Sequence, residues 1–288
     1  MRADDPAHGR ARPMHRQPVG RRFARFADRG ASPKPAMNDD GVRASPDDLG
    51  QALSHGGLSL FYQPIVDLAT GATAGFEVFP HWFHAMEGHL GPQRVLSMAE
   101  RAGLADRLTL SVLAMAARTA ARWSGYGFVA LGVPIEQVGR LDFALTSERV
   151  LHGTGLSPRR LMIALRNSSH AGDPREVETT VARLRATGVA IAFDHAGQGD
   201  PDPAVLRSAG FDAVRLRPTL PRSTRDRSTD HRRAVPRIGH AKGPAIVACG
   251  LQTADQVRAA SAAGCTHGQG DAIGVGLPMP VNGTVPRG

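Results

Sequence analysis

The sequence predicts an α/β barrel of the (β/α)8 type preceded by a disordered tail. Strand-like and helix-like segments alternate along most of the chain, and repeated strand–helix units build a parallel sheet that is closed or covered by helices. The 288 residues accommodate one such domain, which typically takes about 250. A hydrophobic content of 41% is enough for one sizeable core.

The first half begins with a capped helix and a β-hairpin. Ser45 is placed to cap a short helix that runs to Leu53, because acidic side chains follow it in the first turn. A turn at Thr70-Gly71 joins two β-prone runs into a hairpin, after which helical spacing takes over. In order, the further predicted elements are strands at 58–67 and 72–79, helices at 92–102 and 107–124, and a strand at 128–133.

The second half repeats short apolar strands and amphipathic helices. Thr253 and Gln256 form the pattern of a capping box, and Gly264 ends that helix. The predicted elements are strands at 161–165, 189–193, 213–216 and 245–248, and helices at 176–186 and 254–263. Residues 217–244 carry four prolines and eight Arg or Lys where a covering helix is expected, so that flank should be loose.

The positive charge is concentrated before the barrel. Residues 1–36 hold nine Arg and Lys against three Asp, a net of +6 out of +9 for the chain. This segment lacks apolar periodicity, so residues 1–44 are expected to be a disordered basic tail. It is either a basic arm or sequence upstream of a true start at Met37. The barrel is expected to span 45–281, followed by a tail at 282–288.

Composition excludes two other classes of protein. No run approaches the roughly 18 apolar residues of a membrane span, so we expect a cytoplasmic protein without one. Cys249 and Cys265 fit no secreted disulfide framework, and reduced thiols are expected.

A series of motifs keeps its order over about residues 47 to 280. The motifs are Tyr62-Gln63-Pro64-Ile65-Val66-Asp67-Leu68, Gly75-Phe76-Glu77-Val78-Phe79 with Trp82, Ala99-Glu100-Arg101-Ala102-Gly103-Leu104, Gly155-Leu156-Ser157-Pro158, residues 188–194, and Gln269-Gly270. Together they resemble the landmarks of the EAL family of cyclic di-GMP phosphodiesterases, and the resemblance implies a barrel of the EAL type.

The resemblance also implies two divalent cations, Mg²⁺ or Mn²⁺, at the carboxyl ends of the strands, where a bound water attacks the phosphodiester. Such cations need oxygen ligands and several negative charges. Glu77 falls on the family's signature Glu, and Asp194 falls on the first Asp of its D-D-F-G-T-G loop. Gln269 is retained as well.

Other positions of the implied metal site have lost their oxygen ligands. Gly132 falls on a metal-binding Asn, Ala164 on a Glu, and His195 on the second Asp of the loop. The family's lysine position falls on Arg215 and the Glu of its A-E-G motif on Cys249, so we assign no catalytic residue. A two-metal mechanism is expected to fail, and the predicted protein requires no cofactor.

Nucleotide binding is a separate question from hydrolysis. The candidate ligand-binding residues are Gln63, Pro64, Glu77, Phe79, His81, Asp194, Arg215 and Gln269. His81 replaces the Arg that follows the E-x-L signature, which weakens a phosphate contact at neutral pH. Arg215, Arg217 and Arg166 are cations that the family site lacks and that a phosphodiester can contact.

The residues that stand at the family's ligand positions suggest a second hypothesis, in which this site binds zinc. If the strand ends superpose on those of the family, Glu77, Asp194, His195 and Cys249 converge. Carboxylate, imidazole and thiolate together suit Zn²⁺ better than Mg²⁺. The alternative is ordinary polar filling of a vacated site.

The sequence therefore predicts a non-hydrolytic regulatory EAL module, with a protein partner and cyclic di-GMP as its candidate ligand. One alternative is an active cyclic di-GMP phosphodiesterase. A second alternative is a nucleic-acid-binding protein that uses the tail and the basic segment 215–242. The basic composition supports this alternative, but the sequence contains no nucleic-acid-binding motif, so nucleic acid is not the expected partner.

Overall fold

The computed structural model describes residues 44–124, 127–166, 174–195, 211–216 and 245–279. Both predicted tails lie outside these ranges, apart from Ala44. The structure also leaves out residues 217–244, which include Arg217, and the side chain of His195, so it does not test what was predicted for them.

The first half of the described chain contains a helix, a hairpin and the outer helices that follow. Its elements are α1 (Pro46–His55), β1 (Leu58–Asp67), β2 (Thr73–His84), β3 (Gly88–Leu90), α2 (Pro92–Arg101), α3 (Ala105–Ala121), β4 (Phe128–Pro134), α4 (Ile135–Val138) and α5 (Leu141–Thr154). As predicted, Ser45 caps α1, where its hydroxyl accepts a hydrogen bond from the backbone N–H of Asp48.

The second half continues the alternation. A 3-10 turn at Pro158–Arg160 leads into β5 (Leu161–Arg166), α6 (Pro174–Ala186), β6 (Ala190–His195), β7 (Ala213–Leu216), β8 (Ala245–Ala248), α7 (Ala254–Ala262), β9 (His267–Gln269) and β10 (Leu277–Pro278). The capping box of Thr253 and Gln256 opens α7, as predicted.

Eight strands close into a barrel, which confirms the predicted fold class. Their order is β1-β9-β8-β7-β6-β5-β4-β2, and β2 pairs with β1 to complete the ring. The hairpin makes β1 antiparallel to β2, and β1 is also antiparallel to β9, whereas the other neighbours are parallel. The short strands β3 and β10 extend the sheet beside β2 and β1.

Mostly small side chains form a buried layer inside the barrel, which is called the alanine floor below. One buried layer consists of Ile65, Ala130, Ala164, Ala192, Ala213 and Val247. Because side chains alternate along a strand, the residue two positions further on points inward again. At the carboxyl ends of β4 to β8 these positions are Gly132, Arg166, Asp194, Arg215 and Cys249. The fold therefore places them together at the mouth of the barrel.

The outer helices cover the barrel with a larger apolar core. Residues on α2, α3, α5 and α6 bury their apolar faces against the outward-facing side chains of the strands. In the part of the chain that the structure describes, no helix combines the length and the hydrophobicity that crossing a bilayer requires.

Several predicted elements were incomplete. β2 continues to His84 instead of ending at Phe79, and β3, α4 and α5 were not predicted at all. These differences matter for function, because the extension of β2 carries the position of His81 beyond the mouth of the barrel.

Candidate functional site

A buried ion pair occupies the centre of the barrel mouth. Arg215 on β7 donates from Nη1 to Glu77 Oε1 at 2.8 Å and from Nη2 to Glu77 Oε2 at 2.5 Å. The side chains of Arg215 and Glu77 are only 4% and 8% exposed. This is the bidentate geometry in which a guanidinium binds a carboxylate most strongly.

Glutamine side chains extend the pair into a polar network. Gln269 on β9 donates from Nε2 to Glu77 Oε2 at 2.6 Å and to Gln63 Oε1 at 3.0 Å, while its own Oε1 accepts from Arg215 Nη2 at 3.1 Å. Gln63 in turn donates to Asp271 Oδ1 at 3.2 Å. Each oxygen of Glu77 therefore already accepts at least one hydrogen bond from the protein.

The two charges of the pair hold each other in their ionised states. Burial by itself raises the pKa of Glu77, but the charge and hydrogen bonds of Arg215 outweigh it, and the net pKa is lowered. Burial likewise lowers the pKa of Arg215, and the Glu77 carboxylate reverses the effect and raises it well above its usual value. At neutral pH the site holds a carboxylate and a guanidinium that neutralise each other.

Cys249 and Asp194 lie beside this pair. The thiol of Cys249 is 3.6 Å from Arg215 Nη2, and Asp194 Oδ2 is 4.0 Å from Arg215 Nη1. Burial raises the pKa of Cys249 to about 11, although the Arg215 charge acts in the opposite direction. Cys249 is therefore a neutral thiol at pH 7 in this arrangement.

On β4 and β5, two positions of the implied metal site carry no side-chain oxygen. Gly132 on β4 has no side chain, and Ala164 belongs to the alanine floor below it. A Cβ atom added to Gly132 would lie 3.2 Å from both Cδ and Nε of Arg166, so the Arg166 side chain occupies the space next to this glycine.

An aromatic row follows the same face of β2 outward from the site. Beyond Glu77, the alternation of β2 places Phe79, His81 and Phe83 on that face. The ring of His81 stacks on Phe61 with centroids 3.8 Å apart, and its Nδ1 shares a hydrogen bond of 2.7 Å with Nε2 of His89 on β3. The four rings of Phe61, His81, Phe83 and His89 form the aromatic row. It carries no charge when both histidines are neutral.

The same barrel recurs in solved structures of one family. The sequence profile of the EAL domain matches residues 47–275. The chain belongs to the EAL domain family.

Curated relatives and solved structures of EAL domains agree with this assignment. An uncharacterized signaling protein of Caulobacter vibrioides is 32% identical over 82% of this chain and 29% of its own length. The cyclic di-GMP phosphodiesterase NbdA of Pseudomonas aeruginosa is 28% identical over 81% of this chain and 30% of its own length. The structure of the PaMucR phosphodiesterase in complex with cyclic di-GMP superposes with a TM-score of 0.70 at 25% identity, covering 81% of this chain and 96% of that one.

The chain spans about a third of the length of the first curated relatives that it matches. What those longer EAL proteins do as whole molecules therefore does not transfer to it.

The described residues of this EAL domain do not fit the two divalent cations that the family implies. Both oxygens of Glu77 are engaged by Arg215 and Gln269, and Gly132 and Ala164 offer no ligand atoms. Within the described ranges, no group of three or more His, Cys, Asp or Glu side chains is arranged to hold a metal ion. The zinc hypothesis stays a prediction, because it depends on the side chain of His195.

The structure brings most of the predicted site residues of the EAL domain together. Gln63, Glu77, Asp194, Arg215, Cys249 and Gln269 meet at the mouth, whereas Phe79 and His81 lie further along β2. The Arg215–Glu77 contact, Asp271 and the aromatic row were not predicted. The alternation of side chains along β1 and β2 could have indicated the aromatic row, because Phe61, His81 and Phe83 occupy positions whose side chains face inward.

Proposed function

We propose that this chain is a non-hydrolytic EAL module of cyclic di-GMP signalling that acts by binding the nucleotide, a protein partner or both. The observation that carries the proposal is the bidentate contact of Arg215 with Glu77. It places a guanidinium on the carboxylate that the family resemblance assigns to metal binding. A two-metal reaction needs that carboxylate free, together with further acidic ligands.

Chemical considerations favour binding over turnover. Without a cation to lower the pKa of a water molecule, a nucleophile needs a general base. Of the groups at the mouth, the Glu77 carboxylate is paired with Arg215, Asp194 faces the same guanidinium at 4.0 Å, and Cys249 is a protonated thiol. None of these groups is well suited to removing a proton from water.

Relatives with cyclic di-GMP support the choice of ligand. The PaMucR structure, which resembles this chain over 81% of its length, is a complex with cyclic di-GMP. Here Gln63, Phe79 and His81 lie partly exposed on the face that leads outward from Glu77. These side chains offer hydrogen-bonding and stacking groups without a metal.

The decisive experiment is a titration of the full chain with cyclic di-GMP in Mg²⁺, in Mn²⁺ and in EDTA, followed by analysis of the products. We expect the nucleotide to be recovered intact in all three conditions. Recovery of the linear dinucleotide would overturn the proposal in favour of an active phosphodiesterase. Binding without turnover identifies a nucleotide receptor, and absence of binding leaves a protein partner as the regulatory target.

A pair of variants tests whether the ligand sits at this mouth. His81→Arg restores a permanent positive charge on the aromatic row, and a new charge-assisted contact with phosphate should tighten binding by roughly tenfold. His152→Arg adds the same charge on the exposed surface of α5 and serves as the control. Equal effects of the two variants would mean that the ligand responds only to net charge.

The nucleic-acid alternative is tested with the same preparation. If the basic tail binds DNA, binding should be salt-sensitive and should disappear when residues 1–36 are removed. We expect no such tail-dependent binding.

A further inference from the structure

Arg166 is a second arginine that enters the barrel mouth. It is the last residue of β5, and its Cα is registered with Pro134 on β4 and Asp194 on β6. A Cβ on Gly132 would lie 3.2 Å from Cδ and Nε of Arg166 and 3.7 Å from its Cζ. The side chain of Arg166 thus crosses toward β4 and fills the space that a side chain at position 132 would take.

The charge of Arg166 reaches the same carboxylate as that of Arg215. Burial is the largest effect on the pKa of Glu77 and raises it, whereas Arg215, Gln269 and then the charge of Arg166 lower it. The Nε atom of Arg166 is buried and has no hydrogen-bond partner, as is also the case for Nε of Arg215. Arg166 therefore stays in the mouth at the cost of an unsatisfied donor.

Two guanidinium groups therefore lie among the positions to which the family resemblance assigns metal ligands. Arg215 contacts Glu77 directly, and Arg166 lies over Gly132, the position at which the resemblance implies an Asn ligand. Two positive charges in the barrel mouth disfavour the binding of a further cation.

We infer that Arg166 is a second metal-excluding residue, and that it can enter the mouth only because residue 132 is glycine. Gly132 and Arg166 form a coupled pair: a larger residue at 132 displaces the guanidinium, and loss of the guanidinium makes room for a larger residue. The inference rests on the proposed non-hydrolytic function and predicts that replacing Arg215 alone does not restore metal binding.

The first test measures binding of Mn²⁺ alone by electron paramagnetic resonance. Arg215→Lys removes the bidentate contact but leaves Arg166 in place, so it should bind Mn²⁺ weakly. The triple variant Arg215→Lys, Arg166→Ser and Gly132→Asn removes the second cation and supplies an amide oxygen. It should bind at least roughly tenfold more tightly, because one like charge within a few ångströms is worth more than a factor of ten.

A matched control separates the effect of removing an arginine from the barrel mouth from the effect of changing the net charge of the chain. Arg215→Lys with Gly132→Asn and Arg258→Ser supplies the same amide oxygen but removes an arginine that is 73% exposed on α7 in place of Arg166, and should bind Mn²⁺ more weakly than the variant that lacks Arg166. If Arg215→Lys binds as tightly as the triple variant, or if the control matches the triple variant, Arg166 does not exclude metal and the inference is overturned.

A second test needs no metal. Gly132→Asn should lower the midpoint of thermal unfolding by about 3 °C or more in the wild-type chain, but much less in an Arg166→Ser chain. Gly132→Ala, which adds only the Cβ, is the milder variant if the Asn chain does not fold. Equal losses with and without Arg166 would overturn the coupling. Hydrolysis of cyclic di-GMP by the wild-type chain would instead overturn the proposed function and leave this coupling intact.

Discussion

Arg215 and Glu77 stabilise the barrel only when both are present. Each side chain is almost fully buried, so removing one leaves an uncompensated charge in the interior. The chain also contains an exposed counterpart, in which Arg183 Nε and Nη2 donate to Glu148 at 2.7 and 2.9 Å. The two pairs have similar geometry and differ in burial.

Glu77→Gln should therefore lower the free energy of unfolding by about 3–5 kcal/mol, whereas Glu148→Gln should cost about 0–1 kcal/mol. Replacing both partners, as in Glu77→Leu with Arg215→Met, should recover most of the loss because no charge is left unpaired. Urea unfolding of the four chains measures these differences. A Glu77→Gln chain as stable as the Glu148→Gln chain would contradict the burial argument.

Single residues also show what the sequence could not reveal about the site. Matching Glu77, Asp194 and Gln269 to family positions predicted that they lie together. Distances between strand ends cannot be read from a sequence, so the contact of Arg215 with Glu77 was not predictable. A phosphate contact had been predicted for Arg215, but both terminal nitrogens of this buried guanidinium donate to protein acceptors.

The hairpin of β2 and β3 brings two histidines into contact. His81 and His89 stack with ring centroids 4.9 Å apart and share one hydrogen bond between ring nitrogens. Burial, followed by the neighbouring charge of His89, lowers the pKa of His81 to about 4. His81 is therefore neutral throughout the physiological range.

This hairpin should lose stability in acid. Because the folded pKa of His81 lies below the usual value of 6.5, the unfolded chain binds more protons between these two values. The contribution of His81 is complete above pH 6.5 and declines as the pH falls toward 4. Titration of the His81 ring by NMR should give a pKa near 4, and His89→Ala should move it up toward 6.5. A His81 pKa already near 6.5 in the wild-type chain would contradict the arrangement.

The hairpin and α5 also show why some elements escaped prediction. The predicted end of β2 at Phe79 is followed by Pro80, and proline donates no backbone hydrogen bond. β4 pairs only with residues 75–77 of β2, so at Pro80 the strand has a single neighbour, β1, and proline is tolerated. In α5, the buried face includes Ser147, whose hydroxyl donates to the carbonyl of Phe143 and interrupts the apolar stripe.

The barrel as a whole was predictable because its pattern is repeated. Alternating strands and helices indicated the closed sheet, and the turn at Thr70-Gly71 indicated the hairpin that makes β1 antiparallel. The alanine floor was harder to foresee, because short side chains such as Ala130 and Ala192 carry little hydrophobic signal in a strand. Their positions only become meaningful once the strands are arranged in a ring.

A barrel without a resident metal should not respond to metal concentration. A bound ion stabilises a folded protein in proportion to the logarithm of its concentration over its dissociation constant. We expect the thermal midpoint of the wild-type chain to be the same in excess EDTA and in excess Mg²⁺. The Arg215→Lys, Arg166→Ser and Gly132→Asn variant should become more stable in Mg²⁺. An increase of several degrees for the wild-type chain would show that it does bind the ion.

The ion pair of Arg215 and Glu77 also fixes the electrostatic character of the mouth. A dissociable cation occupies its site for a fraction of the time that depends on its supply, so a metal site alternates between charge states. A tethered guanidinium is present at a constant effective concentration that neither dilution nor chelation changes. A ligand or partner that approaches this barrel therefore meets the same Arg215 charge at any concentration of divalent ions.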